Sequence, residues 1–355
     1  MVDLKDYICS VPFNALEIHD NSAFMCCASW LTKSLPKNSA IKDLWKSNEA
    51  KEIRKSVTDG SYRFCDKKQC PYLAELLSIN KTHIGPIKHI SQISEHIEKY
   101  LGSGEESFII GPQTFQMSFD RTCNFMCPTC RNEMIVADTK KIKKVNETIK
   151  EFEDAYSESI ELIYCSGTAD PFASVSYRNY LRNFEPKKYP KLESIHLHTN
   201  ASLWNEIMWE SMPNIHKYVK TCEISIDAGT KYTYENVTRL GGNWDVLIEN
   251  LNFIYSIPSL KKIKVSFVVQ QSNYKEMETF LHLMKSILKE KCRVFYGKVT
   301  NWGTFTPEQF EKIKIWDPLH PDHIDFIKEF NKISLDPFVF HNLHEFVQKD
   351  NTKLL

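Results

Sequence analysis

Three cysteines at short spacing, Cys123-Asn-Phe-Met-Cys127-Pro-Thr-Cys130, can wrap one compact loop around a face of a four-iron, four-sulfur cube. The fourth iron is then left without a protein ligand. An open metal position can bind a substrate or cosubstrate, as it does in catalytic zinc sites. A zinc knuckle with a distant fourth ligand is the other chemistry available to three thiols; the spacing and the strand preceding the loop favour iron–sulfur. The chain has 11 cysteines in all. An odd count without a secretory signal argues against a disulfide framework. Cys9, Cys26, Cys27, Cys65 and Cys70 form a second group, which in a reducing compartment points again to metal.

These side chains need elements to position them. From about residue 115 onward, β-rich runs alternate with amphipathic helical stretches. The spacing predicts strands at Gln116–Phe119, Leu162–Cys165, Ser194–Thr199, Cys222–Asp227, Ile263–Val269 and Arg293–Val299. Helices are expected at Val145–Tyr156, Trp244–Tyr255 and Tyr274–Leu288 between them, and at Ile41–Val57 before them. Repeated βα units imply an α/β class and a parallel sheet, with chemistry gathered at the C-terminal strand ends. The expected domains are 1–105, Cys-rich and poor in regular strands; 106–310, the βα array; and 311–355, a helical extension with a polar tail.

Lys+Arg and Asp+Glu are both 45, so no net basic field recruits nucleic acid or an anionic membrane. The opening MVDLKDYICS is too polar for a secretory signal, and no apolar run approaches a membrane span. A soluble, cytoplasmic protein is expected.

The Cys-x3-Cys-x2-Cys loop after the first strand of a βα array resembles the radical S-adenosylmethionine (SAM) superfamily. The resemblance implies a partial (βα)6 TIM-like barrel, a 4Fe–4S cluster whose open iron is chelated by SAM, and reductive cleavage of SAM to a 5′-deoxyadenosyl radical. That radical abstracts hydrogen from substrate. Gly167-Thr-Ala-Asp170-Pro171 is similar to the family's Gly-Gly-Glu-Pro element, which implies contact of Asp170 with the SAM amino group. His198-Thr-Asn200-Ala201 resembles the Thr-Asn-Gly strand end, and Ser225-Ile-Asp227-Ala resembles the segment that hydrogen-bonds the ribose. Arg239 matches the arginine that pairs with the SAM carboxylate, and Thr129 stands where an aromatic residue often contacts adenine.

The N-terminal series runs Cys9-Ser-Val-Pro12, Glu17-Ile-His-Asp-Asn21, Cys26-Cys27, Ile53-Arg54-Lys-Ser56, Asp59-Gly60 and Cys65-x4-Cys70-Pro71. It is similar to the SPASM/twitch auxiliary-cluster domain of these enzymes, here placed before the barrel rather than after it. The ligands of a second 4Fe–4S cluster are then Cys9, Cys26, Cys65 and Cys70. Cys27 is the alternative to Cys26, since the side chains of adjacent cysteines diverge. With no open iron, that cluster would move electrons; a structural zinc site is the alternative.

Cys165 is a candidate hydrogen-atom donor, though more simply a buried apolar residue, and Lys298 is a candidate base beside Tyr296 at a strand end. His320, His323, His341 and His344 read as surface or packed histidines. Lys140, Lys141, Lys143 and Lys144 read as a solvated face, or as docking for an acidic reductant. The expected activity is an oxidoreductase acting on a small-molecule or peptide substrate, served by a one-electron reductant such as flavodoxin or ferredoxin. An epimerase, a peptide-modifying maturase, or a non-catalytic iron–sulfur or zinc interaction protein on the same fold are its rivals.

Overall fold

A computed structural model describes residues 3–36, 39–79, 83–104, 110–343 and 346. The fold is mixed α/β with a large parallel sheet. Its strands are β1 (Tyr7–Cys9), β2 (Ala15–His19), β3 (Ala23–Phe24), β4 (His83–Ile84), β5 (Ile87–His89) and β6 (Thr114–Ser118). They continue with β7 (Leu162–Cys165), β8 (Ser194–Thr199), β9 (Val219–Ser225), β10 (Lys262–Val269), β11 (Cys292–Lys298) and β12 (Val339–His341). Every strand expected from the βα alternation is present. No helix among the described residues is long and apolar enough to cross a membrane.

The chain forms two compact units. One comprises Met1–Asp120, Ala137–Thr168 and Phe184–Ile195; the other comprises Arg121–Val136, Ala169–Asn183 and His196–Leu355. This division follows a different line from boundaries at 105 and 310, because the Cys-rich N-terminal segment contributes to a sheet with later strands. In the first unit β2 pairs in parallel with β6, from Ala15↔Thr114 to His19↔Ser118, and β6 pairs in parallel with β7. β3 folds back antiparallel on β2. A small separate sheet of order β1-β5-β4 is antiparallel.

The first unit's core lies on the apolar face of β6, where Phe115 and Met117 are fully buried with Phe152 and Ile163. Phe152 belongs to helix Thr139–Tyr156, which begins earlier than its apolar periodicity suggests because the Asp138 carboxylate accepts from Lys141 N at 2.7 Å. The expected helix over 41–57 is broken into Ile41–Leu44 and Asn48–Thr58. Ser47 restarts it by accepting from Ala50 N. Gly60, at φ +73°, ends that region where a Cβ would lie 2.6 Å from Lys5 Cγ.

In the second unit the strand order is β8-β9-β10-β11-β12, with β9 through β12 paired in parallel. β10 shows why the pattern was readable: Ile263, Val265, Phe267 and Val269 are buried on one face, while Lys264, Ser266 and Val268 occupy the other. Beyond residue 318 the chain forms helix His323–Asn331 as expected, and also β12, which is too short for an alternation signal.

The buried Arg54 ties helix Asn48–Thr58 to the segment before β2. Its Nε donates to Pro12 O at 3.1 Å, its Nη2 donates to Trp45 O at 2.9 Å, and its guanidinium lies over the Trp45 ring. Lysine lacks the planar fork needed to serve both carbonyls. Arg54→Lys is therefore expected to lower stability by about 1–3 kcal/mol in urea unfolding, with exposed Lys55→Ala on the same helix within about 0.5 kcal/mol of wild type.

Candidate active site

The three-cysteine loop belongs to the second unit, together with every residue that the sequence assigned to SAM. Local hydrogen bonds set its path. Cys123 N donates to Ile135 O, Cys130 N and Arg131 N both donate to Cys127 O, and Met126 N donates to Leu240 O. Gly241 lies against this loop at φ +94°, where a Cβ would come within 3.3 Å of Asn124 O. Only glycine accepts both that conformation and that approach. Phe125 is buried edge-on against Tyr234.

Each loop sulfur has an N–H donor aimed at it. Asn200 Nδ2 lies 3.7 Å from Cys123 Sγ, Arg239 Nη1 3.5 Å from Cys127 Sγ, and Arg131 Nη2 3.3 Å from Cys130 Sγ. Burial pushes the Cys123 thiol up to about 11, with Asp170 adding to the rise and Arg131 opposing it. Burial also raises Cys127, against the pull of Arg239. The donors therefore favour thiolates at a site where burial alone would keep thiols protonated.

Arg239 is 9% exposed and makes three contacts: Nη1 to Cys127 Sγ, Nη2 to Asp227 Oδ2 at 2.5 Å, and Nε to Ile226 O. Burial by itself would lower its pKa, but Asp227 and the Cys127 sulfur outweigh burial and raise it. Asp227 follows β9 in the left-handed region (φ +58°) and is buried. Its Oδ1 accepts from Val268 N at 2.7 Å. Burial lifts its carboxyl above the usual range although Arg239 works against that rise. A non-glycine residue held at positive φ beside a buried ion pair is strain kept at the end of a strand.

Asp170 behaves differently from the expectation of an amine ligand. Oδ2 accepts from Thr199 Oγ1 (2.7 Å) and Asn200 N (2.8 Å), while Oδ1 accepts from Phe172 N (2.9 Å) and Ala173 N (3.1 Å). Both oxygens are fully engaged, and burial raises the carboxyl against those bonds. Asp170 thus fastens its own loop to the end of β8. Asn200 continues the link: its Nδ2 donates to Asn124 Oδ1, and its Oδ1 accepts from Ser202 N and Oγ. Thr129 is half-buried within the cysteine loop.

Apart from His198 and Ser225, the polar residues on the face of β8, β9 and β10 carry no sequence motif. His196 pairs with Thr221 Oγ1 (2.7 Å), His198 with Ser225 Oγ (3.0 Å), and Lys264 with Glu223 (2.9 Å). Burial pushes His196 down to about 3 and lowers His198 as well. For Glu223 burial works upward, and His198, Lys264 and His196 overcome it to hold the carboxyl at about 2. Strands of a parallel sheet are normally apolar on both faces. The polar residue at every second position here was the available signal.

The two catalytic candidates face elsewhere. Cys165 is buried opposite Met117, on the apolar face of β7 that also carries Ile163. Lys298 shares its face of β11 with Val294 and Tyr296, and its ammonium lies over Trp316 and Phe346. The opposite face carries Phe295, over which Lys264 sits. Strand alternation thus turns Lys298 away from the polar row. Tyr296 is buried and donates to Met277 O. His320 and His323 contact the carbonyls of Lys312 and Ile315, and His341 packs against Phe330; His344 lies outside the described residues. Lys141 and Lys144 both pair with Asp20.

In the first unit the N-terminal cysteines come together. Cys9 ends β1, Cys26 and Cys27 follow β3, Cys65 bridges to Leu31, and Cys70 precedes helix Pro71–Ile79. Cys26 is close enough to Cys9, Cys70, Cys27 and Cys65 for each to raise it further above a level already set by burial. Burial likewise pushes Cys9 and Cys65 up to about 12. Cys27 differs: its Sγ lies 3.0 Å from Ser29 Oγ, and after burial its upward push comes from Glu17. Among the described residues, no group of His, Cys, Asp or Glu side chains is placed to hold a single metal ion. A cube, whose ligands sit on different irons, calls for a wider ring.

No protein-family model matches the chain, and no curated protein matches it. Among solved structures it is similar to Streptococcus suis SuiB bound to precursor peptide SuiA, at 15% identity over 71% of this chain and 53% of that one, TM-score 0.40. It is similar to TYW1 with a lysine-pyruvate adduct bound, at 12% identity over 74% of this chain and 87% of that one, TM-score 0.38. Archaeal TYW1 matches at 13% identity over 44% of this chain and 57% of that one, TM-score 0.28. The chain thus spans about half the length of SuiB.

The Asp227–Arg239 pair gives a direct test of this geometry. Asp227→Asn is expected to destabilise the protein by about 3–5 kcal/mol in urea unfolding, because it strands a buried guanidinium. Asp227→Asn combined with Arg239→Met should cost clearly less than the sum of the single changes. Additive effects would show that the two groups are not coupled.

Proposed function

We propose that this chain is a radical SAM enzyme on a partial (βα)6 TIM-like barrel, with a SPASM/twitch-like auxiliary-cluster domain over 1–105 and a C-terminal helical extension over 311–355. Cys123, Cys127 and Cys130 hold one 4Fe–4S cluster; Cys9, Cys26, Cys65 and Cys70 hold a second. The observation that carries the reading is the N–H donor directed at each of the three loop sulfurs. Hydrogen bonds of this kind stabilise thiolate ligands and tune a cluster's potential.

A cluster held by Cys123, Cys127 and Cys130 would supply one-electron reduction of the SAM sulfonium and, through it, hydrogen abstraction from an unactivated C–H of the substrate. The chain's own residues bind and orient. Arg239, fixed by Asp227 and Cys127, keeps further N–H groups for the SAM carboxylate. Ser225 and Asp227 serve the ribose, Asn200 holds the loop to β8, and Thr129 borders the adenine side. Asp170 positions the strand-end loops. Burial of Asp170, Asn200, Asp227 and Arg239 helps to keep water from the site.

The reaction favoured is dehydrogenation of a small molecule or peptide. Loss of a hydrogen atom followed by loss of a proton and one electron completes that oxidation, and a cluster held by Cys9, Cys26, Cys65 and Cys70 would supply the one-electron acceptor. The influence of Cys9, Cys70, Cys27 and Cys65 on Cys26, against the contact of Cys27 with Ser29, supports Cys26 as the fourth ligand, although Cys27 also acts on Cys70. A flavodoxin- or ferredoxin-like partner delivers the first electron.

Anaerobic reconstitution is expected to give about eight iron per chain, falling to about four when Cys123, Cys127 and Cys130 are all replaced by Ala. Reduced wild-type protein should release 5′-deoxyadenosine and methionine from SAM, and the triple variant should release neither. Zinc in place of iron, or SAM left intact by the reduced protein, overturns the reading.

A further inference from the structure

We propose that Glu17 anchors a binding subsite for a cationic group, an ammonium or a guanidinium. Glu17 lies in β2 at 5% exposure. The parallel register places it opposite Gln116 and places His19 opposite Ser118, so that these polar side chains share one face. Three donors converge on a single carboxylate oxygen: Oε1 accepts from His19 Nε2 at 2.8 Å, Gln116 Nε2 at 3.0 Å and Ser118 Oγ at 3.1 Å. Oε2 is buried and has no hydrogen-bond partner among the described residues. Leaving a buried acceptor unmet is unfavourable, more so for an ionised one, and a ligand donor removes that penalty.

The sign of the ligand follows from what surrounds the carboxylate. Among the described residues, its one ion-pair neighbour is His19, which needs only a neutral donor tautomer to make its bond. The Glu17 charge also acts on the Cys27 thiol, raising it. Among the described residues, no lysine or arginine side chain pairs with Glu17. The way in is marked by Gly167, which is exposed. A Cβ at that position would have Gln116 Nε2 at 3.7 Å and Ser118 Oγ at 3.8 Å as its nearest neighbours, so a larger side chain would cover the polar group. Thr168 Oγ1 fixes the segment by donating to the Ser118 and Asp120 carbonyls.

Assigning the cation to the enzyme's substrate rests on the radical SAM reading; the binding itself does not. The test uses the full chain, with ethylammonium and ethylguanidinium as probes and propanol and propionate as controls, read by calorimetric titration. At least one cation should bind and neither control should. Glu17→Gln keeps an acceptor for the donors on Oε1 and should weaken the cation by about tenfold or more. Gly167→Leu, which leaves the carboxylate intact, should do the same by covering it, and it serves if Glu17→Gln does not fold. Absence of cation binding, or equal binding by the variants, overturns the subsite. SAM affinity should be unchanged in Glu17→Gln; a parallel loss would assign the cation to SAM's own ammonium and overturn the substrate assignment. A protein that binds the cation through Glu17 but leaves SAM intact refutes only the proposed reaction.

Discussion

A buried guanidinium links the end of β9 to the cysteine loop, and most of the site's order depends on it. Arg239 reaches Asp227 with one nitrogen and Cys127 Sγ with another. A buried charge is tolerated only when paired and hydrogen-bonded. Its surroundings are therefore constrained from both sides. Asp227 accepts a left-handed conformation and is held by Val268 N. Gly241, two residues beyond Arg239, takes a backbone path that lets the loop bearing Cys127 approach closely. The loop's sulfur, strand end and arginine form one interlocked unit, and none can be repositioned alone.

The same logic extends to the neighbouring strand ends. Asp170 satisfies the turn after β7 and, through Thr199 and Asn200, the end of β8. Asn200 then contacts Asn124 and Cys123. Polar side chains at the C-terminal ends of parallel strands are thus bonded first to one another, and the cysteine loop is laid across them. Below them, the faces of β8, β9 and β10 carry His196, His198, Glu223 and Lys264 in pairs. A face of this kind is out of place in a purely structural parallel sheet, whose interior is normally Val, Ile and Leu.

Much of this was legible in the sequence, for identifiable reasons. Strands such as β10 are long and alternate strictly, and the cysteine spacings are short enough to be read locally. What escaped falls into three kinds. Short strands such as β12 carry too few residues for a period. The phase of β11 depends on a single-residue register, and only the fold shows Tyr296 and Lys298 on the face opposite Phe295. The parallel pairing of β2 with β6 joins segments nearly a hundred residues apart, so the Cys-rich region could not be recognised as part of that sheet from its composition. Asp170 illustrates a further limit: its partners come from its own loop and from the end of β8, and only the fold shows that both oxygens are already taken.

Electron paramagnetic resonance of the reduced, reconstituted protein tests the central claim most directly. A loop of three thiolates leaves one iron open, so adding SAM should change the g-values of one cluster signal and leave a second unchanged. The responsive signal should be absent when Cys123, Cys127 and Cys130 are replaced, and the unresponsive one should persist. A spectrum indifferent to SAM, or one in which the signal lost with those cysteines is the unresponsive one, would contradict the assignment of the loop as the SAM-binding cluster site.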